Sequence, residues 1–169
     1  MPKSTISFFA ADAAIPIKNR TLLKDFIAAQ ITQSRGKNYF YKINIVFCSN
    51  EYLLKINQQF LNHDYYTDII TFPLTNTKKE LLAEIYISTE QVKKNSKLIE
   101  NQKFMLSNRS MWFALLSPFA VELHRVVFHG ILHLLGYNDK TTKQQIAMRR
   151  AENLWLKKYG ELMKEFIRE

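Results

Sequence analysis

The run HGILHLLGYND, residues 129–139, decides how this chain is read. His129 and His133 stand four residues apart in an apolar stretch with helical periodicity, so both imidazoles project from one face, one turn apart. Gly136 follows where a helix-ending glycine is expected, and Asp139 lies just beyond the reversal that such a glycine permits. Two imidazoles and a carboxylate folded back over the helix end can reach one metal ion. Three protein ligands leave a coordination position open, which is the ligand count of a catalytic zinc site rather than of a closed, cysteine-rich structural one. The candidate metal ligands are therefore His129, His133 and Asp139, with Asn138 a second choice because an amide is a poor zinc ligand beside a carboxylate.

Working outward, a helix over about 119–135 carries the pair. On a wheel with His129 at zero, His133 falls at about 40° and Glu122 at about 20°, with Val127, Ile131 and Leu134 on the opposite side. The expected helix is buried on its back and bears its polar chemistry on one stripe. His124, at about 140° on the same wheel, is read as a packed residue. His63, in NHDYYTD, belongs to another segment and is a weaker candidate for the site. Zinc peptidases of the HExxH type place a general-base glutamate after the first histidine, and Gly130 holds that place here, which argues against peptide cleavage.

The strands precede this helix. STISFF (4–9), the alternating YKINIVF (41–47), TDIITFPL (67–74, closed by Pro73) and LLAEIYIS (81–88) read as four strands, with TNTKKE (75–80) as a hairpin connection between the last two. TLLKDFIAAQIT (21–32), SNEYLLKINQQF (49–60, capped by Ser49), a segment from Thr89 to about Leu98, the metal helix and a last segment over about 142–158 read as helices. The expected fold is a single α/β (α+β) domain over 1–169, a mixed four-stranded sheet packed with about five helices.

Composition fits one domain: 169 residues, 47% hydrophobic, with few glycines and prolines to punctuate the chain. The single Cys48, in an apolar strand, reads as a buried thiol and favours a reducing compartment, and the N-terminus lacks a signal-peptide pattern, so a cytoplasmic protein is expected. The stretch FMLSNRSMWFALLSPFAVEL (104–123) is apolar but broken by Arg109, Pro118 and Glu122. It reads as an apolar insertion near 101–119 and not as a membrane span. The formal charge is +9, which favours polyanionic partners. Residues 1–50 hold 7 bases against 2 acids, 51–136 hold 9 against 8, and 137–169 hold 8 against 5. If the ends pack together, their bases could frame the metal site as a phosphate-attracting rim.

HGILHLLGYND, TDIITFP, LLAEIYIS and MRRAENLWL, in this order, together resemble the YbeY family of metal-dependent endoribonucleases, also called ribosomal RNA maturation factors. The resemblance spans about residues 40–160. It implies a single-strand-specific endoribonuclease acting in small-subunit ribosomal RNA processing, with ribosomal RNA and the small ribosomal subunit as partners and no membrane. The family's third ligand is usually a histidine, where this chain has Asp139. A His₂Asp zinc site carries net charge +1 instead of +2 and is a weaker Lewis acid, so zinc is the expected ion and another divalent metal is an alternative. The family also has an arginine, assigned to phosphate contact, six residues before the threonine of its TDIITFP-like motif, and here that residue is Leu61. Lys55 is a nearby base that could substitute. Ala83 and Glu84 stand where the family usually has Gly-Asp. Asp68 is a candidate to hydrogen-bond the metal's water or orient a ligand, with capping of the turn before its strand the equal alternative. Leu61 supports a second expectation, a ribosome-associated RNA-binding assembly factor with a mainly structural metal.

Overall fold

A computed structural model describes residues 3–101 and 116–168. The elements run β1 (Thr5–Ala10), α1 (Arg20–Arg35), β2 (Phe40–Cys48), α2 (Asn50–Leu61), β3 (Ile69–Asn76), β4 (Glu80–Ser88), α3 (Thr89–Asn101), α4 (Pro118–Leu134) and α5 (Thr142–Arg168). The sheet order is β1-β2-β4-β3. β1 and β4 flank β2 in parallel, each after a helical crossover, while β3 and β4 form the antiparallel hairpin. The sheet is mixed and the helices number five among the described residues, as the periodicities predict. The apolar insertion expected near 101–119 falls largely outside the described residues. No helix among those described is long and apolar enough to cross a membrane.

The alternation in β2 and β4 sends Tyr41, Ile43, Ile45 and Phe47, with Leu81, Ala83, Ile85 and Ile87, to one face. There they meet Leu23, Phe26, Ile27 and Ile31 of α1, the apolar side of α4, and Met148, Trp155, Leu156 and Tyr159 of α5. The opposite face carries a smaller cluster, where Leu53 and Ile56 of α2 cover Cys48, Ile70, Phe72 and Tyr86. Burial pushes the Cys48 thiol up to about 12, which keeps it protonated and unreactive.

Three features differ from expectation. β3 does not close at Pro73 but runs to Asn76, with a register shift between Pro73 and Thr75. An edge strand tolerates this, because a proline whose nitrogen faces outward removes no ladder bond. α5 continues ten residues past Lys158, because Leu162 and Met163 still pack on the core. The polar stripe assigned to α4 is also shorter than the wheel predicts, since every residue from Val121 to Phe128 is buried, Glu122 included. α4 lies against β3, β4, α3 and α5, and beyond its first turn only His129 and His133 are part-exposed.

Gly130 allows that depth. A Cβ there would lie 2.8 Å from Ile69 Cδ1, 3.1 Å from Thr71 Oγ1 and 3.2 Å from Ile85 Cδ1. The helix therefore sits directly on the sheet, and a glutamate at this position, as a peptidase would need, has no room.

His124 packs as expected, its ring centroid 5.0 Å from that of Tyr159 and 6.3 Å from that of Phe128. Its Nδ1–H donates to the Ala120 carbonyl at 2.6 Å. Burial lowers the imidazole from 6.5 to about 4, against the opposing effect of that bond. The unfolded chain thus takes up this proton at a higher pH than the folded one, so its contribution to stability is lost as pH falls from 6.5 towards 4. Urea unfolding should show about 2 kcal/mol of His124-dependent destabilisation between about pH 7.5 and about pH 5. His124→Leu should lack that increment, and identical pH slopes in the two proteins would refute the assignment.

Candidate metal centre

Two capped helix ends build the site. At the end of α4, Gly136 adopts φ +104°, its N–H donates to the His133 carbonyl and the Tyr137 N–H donates to the Leu132 carbonyl, both at 3.0 Å. This pair of bonds is the Schellman reversal, which a glycine accommodates without strain. At the start of α5, Gln144 N–H donates to Thr141 Oγ1 at 3.3 Å, and Thr141 N–H donates to Gln144 Oε1 at 3.1 Å. That reciprocal capping box fixes the far end of the connection. Asp139 is held between the two caps, over the histidines.

The ligating atoms converge. His129 Nε2 and His133 Nε2 lie 2.9 Å apart, and Asp139 Oδ2 lies 3.6 Å from the first and 3.5 Å from the second. Metal–ligand bonds of about 2 Å in tetrahedral array separate their donors by roughly 3.3 Å, so the three atoms are spaced as the vertices around one ion. Among the described residues these three form the group able to hold a metal.

The outer nitrogens show which tautomer is present. His129 Nδ1–H donates to Glu152 Oε1 at 2.8 Å, and His133 Nδ1–H donates to the Tyr137 carbonyl at 2.9 Å. A carbonyl accepts only, and an ionised carboxylate likewise, so Nδ1 of each ring carries a proton and Nε2 of the neutral imidazole is the atom left to ligate. Two Nε2 atoms 2.9 Å apart beside a carboxylate are held together by a shared proton or by a cation between them. The donor set therefore fits a divalent ion, with the outer-shell hydrogen bonds that orient metal-binding histidines.

Behind His129 runs a buried ionic chain that the sequence reading did not single out. Glu152 is only 3% exposed. Its Oε2 accepts from Arg125 Nη1 at 3.2 Å and lies 3.1 Å from Arg149 Nη1. Arg125 Nη1 also donates to Asn153 Oδ1 at 3.0 Å, and Arg125 Nε lies 3.5 Å from Glu122 Oε2. Burial alone would raise the Glu152 carboxyl. The His129 hydrogen bond and the charges of Arg149 and Arg125 outweigh it and hold the group below the usual carboxylate range. At Glu122 the balance reverses: desolvation raises the carboxyl against the pull of Arg125. The signal for Glu152 was present in MRRAENLWL, where a carboxylate interrupts the apolar i, i+3, i+4 row Met148, Ala151, Trp155 and Tyr159, but periodicity alone does not say what it faces.

The metal group opens into a cavity of about 830 Å³ whose lining includes Leu61, His63, Tyr65, Asp68, Pro73 and Lys140. His63 thus reaches the cavity without joining the ligands. It stacks on Tyr65 with ring centroids 5.1 Å apart and shares a 3.0 Å hydrogen bond with Tyr65 Oη through Nδ1. Asp68 also lines it, and its Oδ2 accepts from Asn95 Nδ2 at 3.1 Å. Burial pushes its carboxyl above the ordinary value, opposed chiefly by its own backbone N–H and by His129. Leu61 is exposed on the cavity wall. Lys55 lines a separate groove with Tyr52, Phe60 and Glu84, so it does not take the place of an arginine at Leu61. Asn138 is exposed and contributes no ligand.

The family described as Endoribonuclease YbeY matches residues 8–160. The chain is 38% identical to the Endoribonuclease YbeY of Cytophaga hutchinsonii over 153 residues, covering 90% of this chain and 94% of the relative. It is 35% identical to that of Amoebophilus asiaticus over 156 residues, 92% of this chain and 94% of the relative. The solution structure of a Thermotoga maritima protein shares the fold, with a TM-score of 0.54 at 23% identity over 95% of this chain and 93% of the other.

Proposed function

The chain belongs to the YbeY endoribonuclease family, and on that premise we propose that it is a metal-dependent, single-strand-specific endoribonuclease of ribosomal RNA processing, acting in the cytoplasm on RNA of the small ribosomal subunit. The observation that carries this reading is the three-ligand centre, its two Nε2 lone pairs held towards one point by Glu152 and the Tyr137 carbonyl. His129, His133 and Asp139 are assigned to hold the ion, and zinc is the ion favoured by two imidazoles and one carboxylate. Such an ion supplies Lewis acidity at the scissile phosphodiester.

The protein's own groups do the rest. Lys140 brings a cation to the cavity wall beside Asp139, where a phosphate entering the site is attracted. The His63–Tyr65 stack and the apolar wall of Leu61 and Pro73 offer surfaces on which unpaired bases can lie, which suits a single strand better than a duplex. Asp68, biased towards its protonated form by burial, is the candidate to exchange a proton with the substrate or its attacking water through the oxygen not engaged by Asn95.

Leu61 favours a second reading, an RNA-binding assembly factor that holds its metal for structure. The test is cleavage of a labelled single-stranded ribosomal RNA fragment by zinc-loaded and chelated protein. Metal-dependent cleavage by the wild type is expected, with Leu61→Arg faster by about tenfold or more as a guanidinium reaches the reacting phosphate. No cleavage by the wild type, with activity gained only in Leu61→Arg, would make the binding factor the correct reading. Elemental analysis should find one divalent ion per chain, lost in Asp139→Ala. A folded, metal-free wild type would remove the basis of both readings.

A further inference from the structure

Next to the metal cavity lies a second depression, about 520 Å³, formed by the α1–β2 turn and the β3–β4 hairpin. Its lining includes Arg35, Lys37, Tyr39, Lys78 and Lys79. Four cations thus surround one hollow, and Glu80 is the one acid adjoining it in the hairpin. None of the four is ion-paired among the described residues. Like charges gathered this way repel one another, and an anion in the hollow relieves that repulsion.

The hollow is pre-organised. Arg35 lies over the Tyr39 ring, 5.6 Å from its centroid, and its Nη2 donates to the Leu134 carbonyl at 3.4 Å. Tyr39 is buried and anchored by its Oη, which donates to the Thr77 carbonyl at 3.2 Å. A guanidinium fixed in this way loses little freedom when it meets a phosphate.

It also adjoins the metal cavity. Leu134 and Asn76 line that cavity, and Asn76 Nδ2 donates to the same Leu134 carbonyl, at 3.0 Å, that receives Arg35. Two residues beyond Asn76 the chain reaches Lys78 and Lys79. One chain of hydrogen bonds therefore links the rims of the metal cavity and the basic hollow.

We propose that this hollow is a backbone-phosphate subsite for single-stranded RNA, holding nucleotides next to those at the metal. The proposal rests on the endoribonuclease reading and adds where the flanking strand runs. Four cations and the Asn38 amide supply the polar lining of the hollow, so the contact is chiefly to phosphates and carries little sequence preference.

The test compares wild type with Lys37→Ala/Lys78→Ala/Lys79→Ala, whose three positions are exposed, and with a charge-matched control, Lys18→Ala/Lys157→Ala/Lys158→Ala, from outside both hollows. Binding of an unstructured RNA of about 16 nucleotides is measured against salt, with chelator present so that no strand is cut. Each phosphate contact contributes roughly 0.7 to the slope of log affinity on log salt, so the hollow variant should lose about 2 and bind on the order of 10- to 100-fold more weakly near physiological salt. The control should lose clearly less, and metal-dependent cleavage of a trinucleotide should be unchanged in the hollow variant. Equal losses in the two variants, or trinucleotide cleavage that falls with long-RNA binding, would overturn the subsite. If wild type cuts no RNA at all, the nuclease reading fails, while the binding slopes still decide the hollow.

Discussion

His133→Ala is expected to lower metal-dependent RNA cleavage by at least about a thousandfold, which corresponds to about 4 kcal/mol of lost transition-state stabilisation. On the proposed assignment the imidazole is one of three ligating groups, and removing it leaves a nitrogen and a carboxylate that together hold an ion poorly. The loss should not come from unfolding. His133 is partly exposed, its one internal bond goes to a neighbouring carbonyl, and the Schellman bonds that end α4 use backbone groups alone. Without metal the variant should stay close to wild-type stability, because no backbone bond of the helix end is lost. Zinc at about a hundred times its dissociation constant should stabilise wild type by about 2.7 kcal/mol and leave the variant unchanged. Thermal melts with and without zinc, paired with long-RNA binding and cleavage, read all of this. Cleavage that persists in a variant shown to be metal-free would eliminate the metal centre from the chemistry.

Glu152→Gln should weaken metal binding by roughly 10- to 100-fold, because the amide no longer offers His129 Nδ1–H a charged acceptor and its orientation is lost. The stability cost should be larger than at most single sites, about 3 to 5 kcal/mol. Arg125 is 7% exposed, and its Nε and the nearest Glu122 oxygen have no hydrogen-bond partner, so Glu152 carries most of its compensation. Arg125→Met alone should also destabilise, by leaving Glu122 and Glu152 as two buried carboxylates. The double variant should cost less than the sum, since it removes charges of both signs. Urea unfolding of the four proteins gives the coupling, and competition for zinc against a chelator gives the affinity. An unchanged zinc affinity in Glu152→Gln would show that His129 is oriented without the carboxylate.

These two positions show what a sequence discloses. The convergence of His129, His133 and Asp139 was legible because all three lie within one turn of helix and its cap, so local spacing fixes their geometry. The same holds for Ser49, which accepts from Tyr52 N–H at 3.2 Å as the N-cap of α2, and for the alternating β2 and β4. Glu122 was placed on the wrong kind of surface because a wheel gives direction around the axis but not what covers each side. α4 is enclosed by α3, α5 and the sheet, so its polar residues upstream of His129 pair internally. Lys55 was similarly near Leu61 in sequence and faces a different groove, because residues six apart on a helix lie about 120° from each other in 3.6-residue geometry. Arg35 is the converse: remote in sequence, it donates to the carbonyl of the last residue of the metal helix.

By itself the sequence determined the strand and helix order, the mixed α/β fold and the convergence of His129, His133 and Asp139, because each follows from periodicity, capping and spacing over a few residues. Only the tertiary structure decided that Glu152 orients His129, that Gly130 lets α4 rest on the sheet, and that the bases at Arg35, Lys37, Lys78 and Lys79 gather beside the cavity. Those facts depend on segments far apart in the chain, whose meeting is set by how the layers pack and not by any local pattern.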